Sequence, residues 1–127
     1  MMYQVLLVAL GGAIGASLRH VTGVAALRMI GSTFPWATLL VNVLGSLIMG
    51  IVIAWFMKRG ELDSTGVKLF LTTGILGGFT TFSAFSLDAV NLFKSGDIHL
   101  ALGYVFASVI FSIAAVLIGL WFGRAFL

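Results

Sequence analysis

The chain has 127 residues, 61% of them hydrophobic and 9% charged, with a mean hydropathy of +1.18. A soluble domain of this size could not hide that much apolar surface, so the chain reads as an integral membrane protein: one domain over residues 1–127, with at most about four spans. It has no cysteine and a net charge of +3. That excludes disulfides, thiolate metal sites and cysteine nucleophiles, and in a membrane protein it points to basic residues at helix ends, not to nucleic acid.

The first span is predicted from about Tyr3 to Ala26. The start, Met1-Met2-Tyr3-Gln4, lacks the basic region of a cleavable signal peptide, so this span is expected to stay in the protein. Within Gly11-Gly12-Ala13-Ile14-Gly15-Ala16, Gly11 and Gly15 are four apart, as are Gly12 and Ala16. That spacing makes a small-residue face suited to close helix packing. Arg19, near the end of the span, either snorkels to the headgroups or lines a wet vestibule.

After a short loop, Pro35 suits the first turn of a second span reaching about Phe56, with Ser32 or Thr33 as its cap. Thr38, Asn42 and Ser46 recur every fourth residue and share one face. An amide in hydrocarbon needs partners, so Asn42 is either an interhelical fastening or a donor facing an anion path. The stretch Lys58 to Gly66 reads as a solvated connector.

The third apolar segment, roughly Val67 to Phe93, would be a helix of about 40 Å at 1.5 Å per residue, longer than a bilayer core of ~30 Å. Thr72-Thr73-Gly74, Gly77-Gly78 and Thr80-Thr81 are poor helix formers, so a break at mid-membrane is predicted. Such backbone is tolerated only where protein or a wet cavity satisfies it, and transporters place ion sites there. Phe79 and Phe82, and Phe82 and Phe85, are three apart and expected to share a face, with Thr80, Thr81, Ser83 and Ser86 around them. The company of these hydroxyls suggests that the rings face a polar path. Asp88 is expected near the helix end, at the interface.

Lys94-Ser95-Gly96-Asp97 reads as a turn, and the fourth span as about Ile98 to Phe126. On it Tyr104, Ser108 and Ser112 sit at steps of four. These hydroxyls either bond their own i−4 carbonyls or form a series of donors along one face. An even number of spans puts both termini on one side, with Lys58, Arg59, Lys68 and Arg124 there and Arg19, Arg28 and Lys94 on the other. Four against three is no clear positive-inside bias, which is compatible with insertion both ways round and pairing of opposed copies.

Three stretches together resemble the Fluc, or CrcB, family of small four-helix fluoride channels. They are Gly11-Gly12-Ala13-Ile14-Gly15-Ala16-Ser17-Leu18-Arg19, Thr38-Leu39-Leu40-Val41-Asn42 with Gly45, and Thr72-Thr73-Gly74 leading to Gly77-Gly78-Phe79-Thr80-Thr81-Phe82-Ser83-Ala84-Phe85. The resemblance covers nearly the whole chain. It implies an all-α fold of four transmembrane helices, the third broken, in an antiparallel, dual-topology homodimer with two pores in the inner (plasma) membrane, surrounded by lipid. It implies a structural sodium ion on the dimer axis, held by the carbonyls of Gly77 and Thr80 from both copies. It implies passive fluoride conduction past Asn42, Phe82 and Phe85, along a polar track that Thr38, Ser83, Tyr104, Ser108 and Ser112 fit, with Arg19 as a vestibule or structural residue. Ala84 stands where the family often has threonine, which leaves one hydroxyl contact missing.

The alternative reading is a proton-coupled exporter of cationic compounds, similar to the small multidrug-resistance type. It requires a membrane-embedded carboxylate; the first span has none, and Asp88 is expected near an end. A passive subunit of a larger complex would not need a polar midplane segment. His20 and His99 fall near membrane boundaries with no nucleophile beside them, so an enzyme is not expected.

Overall fold

Apolar segments of this length can satisfy their own backbone in lipid only as helices, and the described residues are helical almost throughout. The computed structural model describes residues 1–60 and 65–127. Helix α1 is Met2–Ile30, α2 is Trp36–Arg59, α3 covers residues 65–79, α4 is Phe82–Lys94 and α5 is Ile98–Phe126. Four stretches are long and apolar enough to cross a membrane: α1, α2, the run Thr65–Lys94 that α3 and α4 share, and α5.

The fourth span begins and ends where predicted, and the first runs one turn past Ala26. The start of α2 differs from expectation. Pro35 is the capping residue, with a non-helical ψ of 64°, and no side chain caps this end, so neither Ser32 nor Thr33 does so. At its other end α2 continues through Lys58 and Arg59, which were expected in the connector, and stops at Gly60 with φ 63°. Only glycine adopts that left-handed backbone without strain. The two basic residues suit the negative end of the helix. The Lys58 Nζ donates to the Arg124 carbonyl at 3.4 Å, and the Arg59 guanidinium lies 4.6 Å from the Trp55 ring centroid. Glu61 and Asp63 of the expected connector lie outside the described residues. The turn at Ser95-Gly96 is present, with Gly96 at φ 85°.

Two close helix contacts build the bundle. The small-residue face of α1 meets the third span: a Cβ on Gly11 would fall 2.8 Å from the Gly74 Cα, and one on Gly78 would fall 2.7 Å from the Gly12 carbonyl oxygen. A Cβ on Gly15 would collide with the Ile75 carbonyl. The second contact, between α2 and α5, was not anticipated. Gly50 and Ala54 of α2 lie against Gly119 and Gly123 of α5, and a Cβ on Gly119 would strike the Leu47 carbonyl. Both contacts are two small residues four apart on facing helices, which lets backbones approach and dispersion act where lipid supplies no hydrophobic drive.

Within α3, Thr65–Leu69 is α-helical, Phe70–Leu76 is π-helical and Gly77–Phe79 closes as a single α turn. Thr72-Thr73-Gly74, expected to help break the helix, instead lies in the wider π turns. The Gly77 N–H there points to the carbonyls of both Thr72 and Gly74. Lys58 beside Arg124, and Tyr3 and Leu7 beside Gly66, bring the start of α1 and α3 and the ends of α2 and α5 to one end of the bundle. Arg19 is not at the opposite end, because its side chain bonds into the third span. The basic residues at the two ends are therefore Lys58, Arg59, Lys68 and Arg124 against Arg28 and Lys94, less even than the sequence count.

Candidate functional site

The helical run stops at Phe79 and restarts at Phe82. Between them Thr80 (φ −85°, ψ 160°) and Thr81 (φ −153°, ψ 125°) are extended, backbone that β-branched residues adopt readily. Two extended residues remove several bonds of the helical ladder, and side chains from three elements replace them. The Thr81 N–H donates to Asn42 Oδ1 at 2.8 Å, and Asn42 Nδ2 donates to the Thr81 carbonyl at 2.9 Å. Because a backbone N–H can only donate and a carbonyl only accept, this pair also fixes which way the amide faces. Thr81 caps α4 itself, its Oγ1 accepting from the Ala84 N–H at 3.2 Å. The Thr80 N–H and Oγ1–H both donate to the Leu76 carbonyl, at 3.0 and 2.9 Å. Arg19 Nε donates to the Gly78 carbonyl at 3.1 Å. Gly45 lets α2 approach, since a Cβ there would strike the Thr80 methyl.

In a continuous helix the Gly77 carbonyl would accept from the Thr81 N–H, and the Thr80 carbonyl from the Ala84 N–H. Here the first donor is committed to Asn42 and the second to Thr81 Oγ1. The carbonyls of Gly77 and Thr80 are thus among those whose helical donors the interruption removes.

Beside the extended pair lies a cavity of about 370 Å³. Asn42, Ser46 and Thr81 line one side, Phe82 and Phe85 a second, and Ser108 and Ser112 a third. The rings of Phe82 and Phe85 are 5.4 Å apart, and Phe85 is buried while Phe82 is 77% exposed. Phe79 does not share their face: it is buried among the helices, because the extended pair breaks the three-residue register between it and Phe82.

For Ser108 the i−4 bond, one of the two alternatives left by the sequence, is absent. Ser17, Thr22, Thr72, Ser86 and Ser95 each donate to their own i−4 carbonyl. Ser108 Oγ does not; it is buried with no hydrogen-bond partner among the described residues. A buried hydroxyl left unpaired costs on the order of 1–3 kcal/mol. Ser86, expected beside a polar path, is occupied with the Phe82 carbonyl, and Ser83 Oγ lies 3.4 Å from Thr81 Oγ1 on the exposed side.

Thr38 and Tyr104 are drawn away from Asn42 by Asp88. The Thr38 hydroxyl donates to Asp88 Oδ2 at 2.7 Å, and the Tyr104 hydroxyl to the same oxygen at 3.2 Å. Asp88 is half-buried and lies six residues before the end of the third span, beside a recess lined by residues of the 31–35 and 95–97 loops. Tyr104 is fully buried, its ring 5.3 Å from that of Phe85. Arg19 borders a separate recess of about 310 Å³ with Thr38, Thr81 and Ala84. The missing hydroxyl of Ala84 therefore belongs to this recess and not to the cavity beside the two phenylalanine rings.

Residues 6–120 match the family described as CrcB-like protein, Camphor Resistance (CrcB). Curated relatives are similar over nearly their whole length. The "Fluoride-specific ion channel FluC" of Mesorhizobium japonicum is 50% identical over 124 residues, 98% of each chain. Its namesake in Chelativorans sp. is 51% identical over 126 residues, 99% of this chain and 100% of that protein. That of Rhizobium etli is 52% identical over 124 residues, 98% of each. These relatives are named as ion channels, not enzymes.

The two bonds between Asn42 and Thr81 yield a stability prediction. Asn42→Ala leaves a backbone N–H and C=O without partners, at a cost of about 1–3 kcal/mol each. Asn42→Asp keeps the acceptor but sets a carboxylate oxygen against the Thr81 carbonyl. Both variants are expected to melt well below the parent in detergent. An unchanged melting temperature for Asn42→Ala would mean that the pair does not hold the interruption.

Proposed function

The chain belongs to the CrcB family, and from that premise we propose that it is a fluoride-selective channel of the inner (plasma) membrane that exports the ion by passive conduction. The observation that carries the proposal is the lining of the cavity beside Thr81. Beside aliphatic side chains it offers amide and hydroxyl donors and aromatic rings, and among the described residues no charged side chain lines it.

Fluoride is small and strongly hydrated, so it sheds water only where donors replace that shell in series. One N–H of the Asn42 amide is spent on Thr81, and its second remains for an ion. The unpaired Ser108 hydroxyl and Ser112 continue the series, and the edges of Phe82 and Phe85 add weak positive potential. Ser83 extends the path on its exposed side, while the Thr38 and Tyr104 hydroxyls, which donate to Asp88, stand beyond the cavity. Without a fixed cation the ion is stabilised but not trapped.

The functional unit in this proposal is a homodimer of oppositely oriented copies with two pores. A second copy would cover the outward ring of Phe82 and the interrupted segment. A structural sodium ion fits the carbonyls of Gly77 and Thr80, whose helical donors are diverted and whose oxygens suit a hard cation. When bound, such an ion supplies positive charge to backbone oxygens that the interruption leaves exposed. The proton-coupled alternative finds one supporting feature, the half-buried Asp88. That carboxylate, however, lines none of the donor-rich cavity.

Three outcomes are expected. Liposomes holding the purified protein should release fluoride and retain chloride; equal efflux of both anions would refute the channel. A single cysteine placed at the N-terminus, in a chain that otherwise has none, should be only partly labelled from outside intact cells, whereas complete labelling or none would mean one orientation. The purified protein should melt higher in sodium than in N-methylglucamine salts of equal ionic strength, because a ligand bound to the folded state stabilises it. Identical melting curves would remove the sodium site.

A further inference from the structure

We infer that Arg19 is a positioning residue whose Nε–H, not its charge, holds the end of α3 by fastening the Gly78 carbonyl. The inference rests on the channel reading for its functional consequence, but its structural content stands on α1 and α3 alone. In a continuous helix the Gly78 carbonyl would accept from the Phe82 N–H. The extended pair Thr80-Thr81 removes Phe82 from that ladder. The oxygen accepts instead from Arg19 Nε, at 3.1 Å, across 59 residues of sequence.

The sequence of α1 is arranged for this reach. Gly12, Ala16 and Arg19 follow at steps of four and three and so lie on one helical face. The first two are the small residues against which Gly78 packs: a Cβ on Gly78 would come within 2.7 Å of the Gly12 oxygen and 3.1 Å of the Ala16 nitrogen. One turn further on, the same face carries the arginine. Its long stem lies back over the contact, and its partner is a carbonyl oxygen at the closing turn of a helix, where the backbone presents partial negative charge. Asn42 fastens the interruption three residues later from α2. Arg19 from α1 and Asn42 from α2 thus hold Gly78 and Thr81, and Gly77 and Thr80 are aimed by that grip.

The covalent geometry of arginine allows donor and charge to be separated. Glutamine places its amide nitrogen at the same number of bonds from Cα as arginine Nε, so Arg19→Gln keeps an N–H for the Gly78 oxygen and discards the charge. Arg19→Met has neither donor nor charge at similar length. Arg19→Lys keeps the charge but has a methylene where Nε stood.

The experiment compares the three variants with the parent protein in fluoride efflux from liposomes and in hydrogen–deuterium exchange of the peptide spanning residues 77–85. Arg19→Gln is expected to match the parent in both. Arg19→Met should lose about tenfold in flux, the scale of one hydrogen bond, and exchange faster over that peptide. The inference is overturned if Arg19→Gln falls to the level of Arg19→Met while Arg19→Lys matches the parent, since charge would then be what matters. It is equally overturned if Arg19→Met behaves as the parent does, or if Arg19→Gln fails to fold. Failure of Arg19→Met to fold while Arg19→Gln folds supports it. A parent protein that releases no fluoride would defeat the channel reading and leave the exchange comparison to judge Arg19.

Discussion

An interruption of the backbone inside an apolar bundle is tolerable only if the N–H and C=O groups it frees find other partners, and the rest of this structure depends on how that is done. Thr80 and Thr81 leave the helix, and the freed groups are taken up one at a time: Thr81 by Asn42, the Ala84 N–H by the Thr81 hydroxyl, the Gly78 carbonyl by Arg19. In hydrocarbon an unpaired group of this kind costs several kcal/mol. Arg19 and Asn42 are thus committed to backbone first, and whatever they offer to an ion is what that commitment leaves over.

These bonds are short-range, so helices that carry the partners must come close. That explains the placing of the glycines. Gly11 and Gly15 bring α1 against residues 70–79, and Gly45 brings α2 against Thr80. The contact of Gly50 and Ala54 with Gly119 and Gly123 then sets α5 against α2, which places Ser108 and Ser112 across the cavity from Asn42. Small residues supply the distance and polar residues the direction. Neither group would produce the cavity alone: a wider α1–α3 contact would leave Arg19 short of its carbonyl, and a continuous third helix would leave Asn42 nothing to grip.

Much of this was legible in the sequence, because periodicity and composition act locally. The four apolar runs, the packing face of α1, the turn at Gly96 and the shared face of Phe82 and Phe85 all follow from spacing. What spacing could not supply was the position where the helix actually stops. The threonine and glycine content of residues 72–81 marks the whole stretch as weak, yet the first part is held as π-helix and only Thr80 and Thr81 extend. One difference follows from that: the three-residue spacing of Phe79 and Phe82 implies a shared face, but the extended pair between them turns Phe79 into the core. The fastening role of Arg19 was invisible for another reason: its partner is a backbone oxygen 59 residues away, and a backbone atom leaves no signature in a sequence. The α2–α5 contact did leave one, Gly50 with Ala54 and Gly119 with Gly123, but pairing two such motifs requires knowing which helices are neighbours.

The position of Asp88 bears on how a carboxylate can coexist with a cavity rich in donors. A free carboxylate facing that cavity would compete for its hydroxyls and repel an anion through a medium of low dielectric. Here Asp88 Oδ2 accepts from both Thr38 and Tyr104, so the carboxyl group is already engaged by two hydroxyls and lines none of that cavity. The two donors it takes are the ones that share helical faces with Asn42 and Ser108. Spacing alone therefore suggests one continuous series of donors, whereas the folded chain divides it: Asn42, Ser108 and Ser112 remain with the cavity, while Thr38 and Tyr104 serve the carboxylate. The division depends on α4, which carries Asp88 to Thr38 of α2 and Tyr104 of α5.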